Sequence, residues 1–310
     1  MTQYLFGTSW KRWLPFLFLL PGLLAYFIIA LGPSLATSVF SLTDVSGIPG
    51  IPINWIGFEN YDEFLLRGLA SRDNLAAITR TLIFMFFVTT IQFTLGLVVA
   101  LLLNQGLKGT RYFRVLFFMP VILGVTIQGL IWTLFLYPLG GPVASITNDF
   151  LGLNLGFLGG PPREAFAWVI VVQIWANMGI TMVIFLAGLQ TVPEELYEVA
   201  EIDGANTWEI FRNVTWPLIT PVVNTNLILN IIGSLQAWQL FLVLTGYKAG
   251  TQVMGYLVYA EGFGQTSGGA GASFRQGYAA AASMVLFVIV LVLGLSTQFL
   301  VQRRERRLLG

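Results

Sequence analysis

The sequence predicts an all-α membrane protein with six transmembrane helices, and three observations carry that prediction. Hydrophobic residues make up 56% of the 310 and charged residues only 10%, with a mean hydropathy of +0.76; soluble domains carry about 25% charged residues. Uncharged apolar runs long enough to cross a bilayer recur along the chain, each about 20 residues or more. The polar stretches between them hold nearly all of the charge. Net charge is +1, which gives no electrostatic reason to expect nucleic acid as a partner. There is neither Cys nor His, so disulfides, thiolate chemistry and Cys or His metal sites are excluded, as is the commonest general base. Catalysis is not expected.

In chain order, residues 1–12 form a short N-terminal segment ending in Lys11 and Arg12. The first span covers about 13–39, too long for a signal-peptide core of roughly 7–15 residues, and reads as an uncleaved helix. A polar segment with Pro49 and Pro52 follows. The second span, 78–103, carries Gly96 and Ala100 at a spacing that lets helices approach closely. A connector with Lys108, Arg111 and Arg114 leads to the third span, 115–136, with Pro120 near its start. The fourth and fifth spans cover 166–189 and 218–244. The sixth, 278–301, opens on Ala279 to Ala282 and ends in a basic tail, 303–310, with Arg303, Arg304, Arg306 and Arg307. Residues 13–302 thus read as one membrane domain. With both termini in the cytoplasm, Lys11, Arg12, the connector, Arg212 and the tail put ten of the 16 basic residues inside.

Between the fourth and fifth spans lies a polar elbow, 191–216, expected in the cytoplasm. Thr191 with Glu194 fits a capping box, with Pro193 in the first helical turn. Gly204 can close that helix in a left-handed conformation. Asn206 with Glu209 repeats the start signal. Glu194, Glu195, Glu198, Glu201, Asp203 and Glu209 meet only Arg212. Such an acidic surface suits either a solvated loop or a docking face for a basic groove on a soluble partner.

No Asp, Glu, Lys, Arg or His lies in the interior of a predicted span, Arg80 and Arg114 sitting at span ends, which argues against proton coupling. Sodium coupling through backbone carbonyls, or a self-sufficient channel, stays open. The sequence has no phosphate-binding loop of the Gly-x-x-x-x-Gly-Lys type, so energy has to come from outside the chain. The spans carry neutral amides and aromatics instead: Gln128 and Trp132 in the third; Gln173, Trp175, Asn177 and Thr181 in the fourth; Asn226, Asn230 and Ser234 in the fifth, then Trp238 and Gln239. Amides with aromatic platforms suit a neutral polyhydroxylated solute. The same residues also serve as interhelical hydrogen-bond partners.

Several stretches resemble a known family. Glu198-Val199-Ala200, three residues, Gly204, nine residues, Val214, one residue, then Trp216-Pro217 resembles the EAA loop of ABC-importer permeases. Val199, Val214 and Trp216 depart from its usual Ala, Ile and Leu. Asp203-Gly204-Ala205 and Phe211 match the form found in carbohydrate permeases. Trp55-Ile56-Gly57-Phe58-Glu59-Asn60-Tyr61, Leu186 to Gln190 and Gly277 to Ala281 are also similar to that family. The resemblance implies a type I ABC importer permease fold, of the first-permease type of maltose and glycerol-phosphate systems. It implies a multi-pass inner-membrane subunit that carries a sugar and contacts lipid. The implied partners are a second homologous permease, two ATPase subunits and an extracytoplasmic solute-binding protein. This chain itself would bind no cofactor, and ATP and Mg would sit on the ATPases. Coupling would run through Leu196, Glu198, Ala200, Asp203, Gly204, Ala205 and Phe211. The substrate path would draw on Asn177, Asn226, Asn230, Ser234, Trp238 and Gln239.

Overall fold

The computed structural model describes residues 8–67, 73–106, 108–153, 155–246, 248–264 and 274–309. Arg72 and the glycine-rich stretch 268–271 lie outside the described residues. The first apolar run forms α1 (Thr8–Tyr26), a π-turn at Phe27–Leu31 and α2 (Gly32–Phe40). After it come α3 (Asp73–Asn104), α4 (Thr110–Ile122), α5 (Val125–Phe135), α6 (Pro142–Leu151) and α7 (Pro162–Leu189). The elbow contains α8 (Glu194–Ile202) and α9 (Thr207–Ile210). The rest comprises α10 (Trp216–Leu235), α11 (Gln239–Leu244), α12 (Met254–Phe263) and α13 (Gln276–Leu309). Among the described residues, five helical stretches are long and apolar enough to cross a membrane, and six if the bent pair α4–α5 counts as one.

That bent pair differs from the single helix expected over 115–136. α4 and α5 meet at 103°, because Leu123 and Gly124 adopt extended backbone. Carbonyls released by such a break need partners inside hydrocarbon. Gln128 supplies them, donating from Nε2 to the oxygens of Pro120 and Leu123, both at 2.9 Å. The fifth segment also differs. Helix α10 ends at Leu235, three non-helical residues follow, and α11 starts at Gln239. At its other end α9 runs through a π-turn, Phe211–Thr215, directly into α10. The second half of the elbow and the span after it are therefore one helical stretch, Thr207–Leu235.

Helices α3, α7 and α10 form the centre of the bundle. Small residues set their spacing: a Cβ on Gly96 of α3 would lie 2.5 Å from Thr181 Cγ2, and one on Gly188 of α7 would lie 2.8 Å from Val222. Toward the elbow, Ala100, Leu103, Met182, Phe185, Leu189 and Ile219 close one apolar cluster. Toward the opposite end, Phe84, Val169, Val172, Phe241 and Tyr256 close another. The Trp13–Phe40 rod is exposed almost throughout and touches α13, as expected of a helix whose solvent is lipid.

At the end away from the elbow, the segment after α2 folds back over α13. Asn60 donates to the oxygens of Ser41 and Thr43. Arg275 pairs with Glu63 at 2.5 Å and lies 4.2 Å from the centre of the Tyr278 ring. Beside them Glu261 is partly buried, and its Oε2 has no hydrogen-bond partner among the described residues. Burial raises its pKa above the ordinary glutamate value; Arg275 opposes the rise and Glu63 adds to it. A raised carboxyl holds its proton longer in the folded state. Its contribution is therefore complete below the ordinary value and is lost as pH rises through the raised one. The thermal midpoint of the purified protein should fall across that window, and Glu261→Gln should flatten the fall. An unchanged pH profile in the variant would show that Glu261 does not titrate there.

Candidate functional site

Two features stand out, a polar cavity among the spans and the elbow that projects from one end. The cavity of about 230 Å³ lies between α3, α7 and α10 and is lined by Gln92, Gln173, Asn177, Thr181, Asn226 and Asn230, together with apolar residues such as Val88 and Leu229. A second cavity of about 310 Å³ shares Gln173, Asn177 and Gly233 with it and continues past Gln236 and Gln239 to the break between α4 and α5. Among the described residues neither cavity is lined by an ionisable side chain.

The wall of the first cavity is a network of buried amides. Asn226 donates from Nδ2 to the Thr181 oxygen at 3.0 Å. Asn230 donates to the backbone oxygen and to Oδ1 of Asn226, at 2.9 and 3.0 Å. Its own Oδ1 accepts from Thr181 Oγ1 at 3.3 Å and from Gln92 Nε2. Gln92 also donates to Thr181 Oγ1 at 2.9 Å. Ser234 is buried with its hydroxyl 3.4 Å from that of Thr89. One turn apart on α10, Asn226, Asn230 and Ser234 therefore bind three helices to one another as well as facing the cavity. Asn177 is less committed, donating among the described residues only to the Gln173 oxygen.

Of the other residues considered for the path, Gln239 lines the second cavity. Trp238 lines neither; it stacks on Tyr259 with centroids 4.6 Å apart, because the break after Leu235 turns it toward α12. Gln128 is committed to the backbone at the helix break. Trp132 and Trp175 pack edge to face, 5.5 Å apart. Gln92 is the residue that sequence reasoning missed. Its only signal is being a lone amide in the apolar run of α3.

In the elbow, α8 starts at Glu194 with Pro193 as its cap and no side-chain hydrogen bond. The Thr191–Glu194 capping box does not form, since the chain still winds off α7 there and Thr191 Oγ1 donates back to the Gly188 oxygen at 2.7 Å. At the other end of α8, Gly204 has φ +78°. The Gly204 and Ala205 N–H groups reach the oxygens of Glu201 and Ala200, closing the helix as a Schellman turn. Asn206 and Glu209 form a full capping box at the start of α9. This rigid corner presents Glu198, Glu201 and Asp203 to solvent, and none is ion-paired among the described residues. Leu196 and Val199 are also exposed, Ile202 is 84% exposed, and Ala200 is half-buried. Phe211 lies between Trp208 and Trp216, at 5.6 and 5.8 Å. The outward aromatic is therefore Trp208, 64% exposed, which the spacing of three from Phe211 could have indicated.

A helical bundle with neutral amide cavities between its spans and an acidic elbow at one end has the architecture of a multi-pass membrane protein. The chain belongs to the family of binding-protein-dependent transport system inner membrane components, which it matches over residues 83–309. It is 30% identical over 295 residues to the arabinooligosaccharides transport system permease protein AraP of Bacillus subtilis, covering 92% of this chain and 87% of that one. It is 33% identical over 234 residues to the trehalose/maltose transport system permease protein MalF of Thermococcus litoralis, covering 75% and 77%. In fold it is similar to a chain of a bacterial alginate ABC transporter solved with an alginate pentasaccharide-bound periplasmic protein. The TM-score is 0.79 at 22% identity, over 95% of this chain and 96% of that one. The protein is thus an inner-membrane permease of a binding-protein-dependent ABC system, without an ATPase site of its own.

The geometry of the corner yields a test. Replacing Asn206 with Ala removes an N-cap, which is worth about 0.5–2 kcal/mol. The Trp208 and Glu209 amides, which Asn206 Oδ1 accepts, should then exchange with solvent about tenfold faster, since 1.4 kcal/mol is a factor of ten. Unchanged exchange would show that tertiary contacts, not the cap, hold α9.

Proposed function

We propose that the chain is the sugar-translocating permease of an ATP-driven importer and forms half of the translocation path. The observation that carries this reading is the helical stretch Thr207–Leu235, which has the elbow at one end and the amide wall of the cavity along its length. At about 1.5 Å per residue, Asn206 and Asn226 are about 30 Å apart along it. A push on the elbow therefore reaches the cavity through one rod. Neutral amides and apolar side chains around the cavity suit a hydroxyl-rich, uncharged solute. The names of AraP and MalF, which specify arabinooligosaccharides and trehalose or maltose, point the same way.

In this reading the chain crosses the membrane six times, α4–α5 counting as one broken span, with both termini and the elbow in the cytoplasm. The elbow, 191–216, docks on one of two ATPase subunits, which bind ATP and Mg. Glu198 and Asp203 meet basic groups there, and Gly204 and Ala205 hold the turn. Leu196 and Ala200 pack, joined by Val199, Ile202 and Trp208, while Phe211 backs Trp208 from within. A second homologous permease completes the path and a solute-binding protein delivers sugar from the outer face. Asn177, Gln173 and Gln239 are the amides most free to meet that sugar, and Asn226, Asn230 and Ser234 fix the wall.

Purifying the tagged chain from its native membrane, with Glu198→Lys in parallel, tests the docking. An ATPase subunit and a second permease should accompany the wild type. The variant should keep the permease and lose most of the ATPase. Retention of the ATPase at wild-type level by Glu198→Lys would contradict the assignment of the elbow.

A further inference from the structure

One atom in the amide network has no partner among the described residues. Gln92 is 5% exposed and gives its N–H groups to Thr181 Oγ1 and Asn230 Oδ1. Its carbonyl Oε1 is buried and accepts nothing from the described residues. Around it, both Asn226 and Asn230 donate from Nδ2 within the network, and the Thr181 hydroxyl donates to Asn230. None of these donors reaches the Gln92 carbonyl. A buried acceptor left unmatched destabilises the protein, and in hydrocarbon no solvent relieves it. Gln92 nonetheless lines the first cavity, beside Asn177 and Asn230.

We propose that Gln92 is a specificity-determining residue of the transport site, whose carbonyl accepts a hydrogen bond from one hydroxyl of the bound sugar. The proposal rests on the reading of the cavity as a neutral-sugar site. The chemistry selects the partner class: only a donor completes the network, and a polyol supplies hydroxyl donors without bringing charge into a site that has none. The Gln92 oxygen is covered in this conformation, so the hydroxyl reaches it as the wall between α3 and α10 yields to the sugar. A site built to bond a hydroxyl discriminates strongly against the analogue that lacks it, because the protein group is then left unpaired. Thr181 and Asn230 hold the Gln92 amide plane, which fixes the direction from which that hydroxyl comes.

The test measures sugar binding to the purified importer complex in lipid nanodiscs by calorimetry, without the binding protein. Maltotriose, trehalose and arabinotriose are the probes, followed by monodeoxy derivatives of whichever binds. In the wild type one deoxy position should weaken binding by about tenfold or more, about 1.4 kcal/mol. Gln92→Leu should bind the parent sugar as weakly as that derivative and no longer distinguish the two. Gln92→Glu keeps a carbonyl acceptor but lacks the amide N–H groups, so it should still distinguish them. Thermal midpoints of both variants show whether the complex is folded. If Gln92→Leu retains the discrimination, or Gln92→Glu loses it along with Gln92→Leu, Gln92 only braces the helices and the proposal falls while the cavity keeps its role. If no probe binds the wild type, the neutral-sugar reading falls and takes the proposal with it.

Discussion

Asn230 sits where three membrane helices meet, and its amide bonds within α10 and to α3 and α7. Inside hydrocarbon every polar group has to find its partner within the protein, and most of the bundle follows from how this chain does so. The amide N–H groups of Gln92 and Asn226 and the Oδ1 of Asn230 find their partners only if α3, α7 and α10 come close together. They come close because Gly96 and Gly188 carry no side chain where Thr181 and Val222 press in. The same rule explains the helix break, where Gln128 takes up the carbonyls that the turn at Leu123 and Gly124 releases. Apolar packing above and below, through Phe84 and Phe241 at one end and Phe185 and Leu189 at the other, then seals the polar layer.

The polar layer and the elbow share one helical stretch, and that gives the architecture its mechanical sense. A permease of this family, without an ATPase site of its own, receives work from outside. The elbow, which we propose receives it, is held by a Schellman turn at Gly204 and a capping box at Asn206. In the proposed function, Thr207–Leu235 carries rotation of that corner to Asn226 and Asn230. The amide network is strong enough to hold a wall yet consists of bonds that a hydroxylated solute can exchange for its own. Individual interhelical hydrogen bonds in membranes are worth only about 0.6–2 kcal/mol, so opening such a wall stays within reach of a docking event.

Much of this was legible in the sequence. Composition and run length gave the membrane class and the long helices. The elbow was readable because glycine and asparagine punctuate helices for local reasons, and both Gly204 and Asn206 behave so. Thr191 misled because a cap requires its residue to have left the preceding helix, and tertiary structure decides that. The break at Leu123 was not legible: Pro120 marks a weak point but does not say where the chain turns, and the amide that stabilises the turn lies eight residues on. Asn226 and Asn230 announced themselves by spacing on one face. Gln92 did not, since a single amide in an apolar helix has no pattern, and only its meeting with Asn230 across 138 positions reveals its place.

The central claim is that the chain lacks an energy source of its own and moves a neutral sugar only when its elbow is driven. Flux of labelled maltotriose, trehalose or arabinotriose into proteoliposomes tests this most directly, comparing the purified chain alone with the complete importer and binding protein. The account predicts no flux through the chain alone, with or without a sodium gradient, and flux through the complex that requires ATP. Sugar flux through the isolated chain without ATP would contradict it.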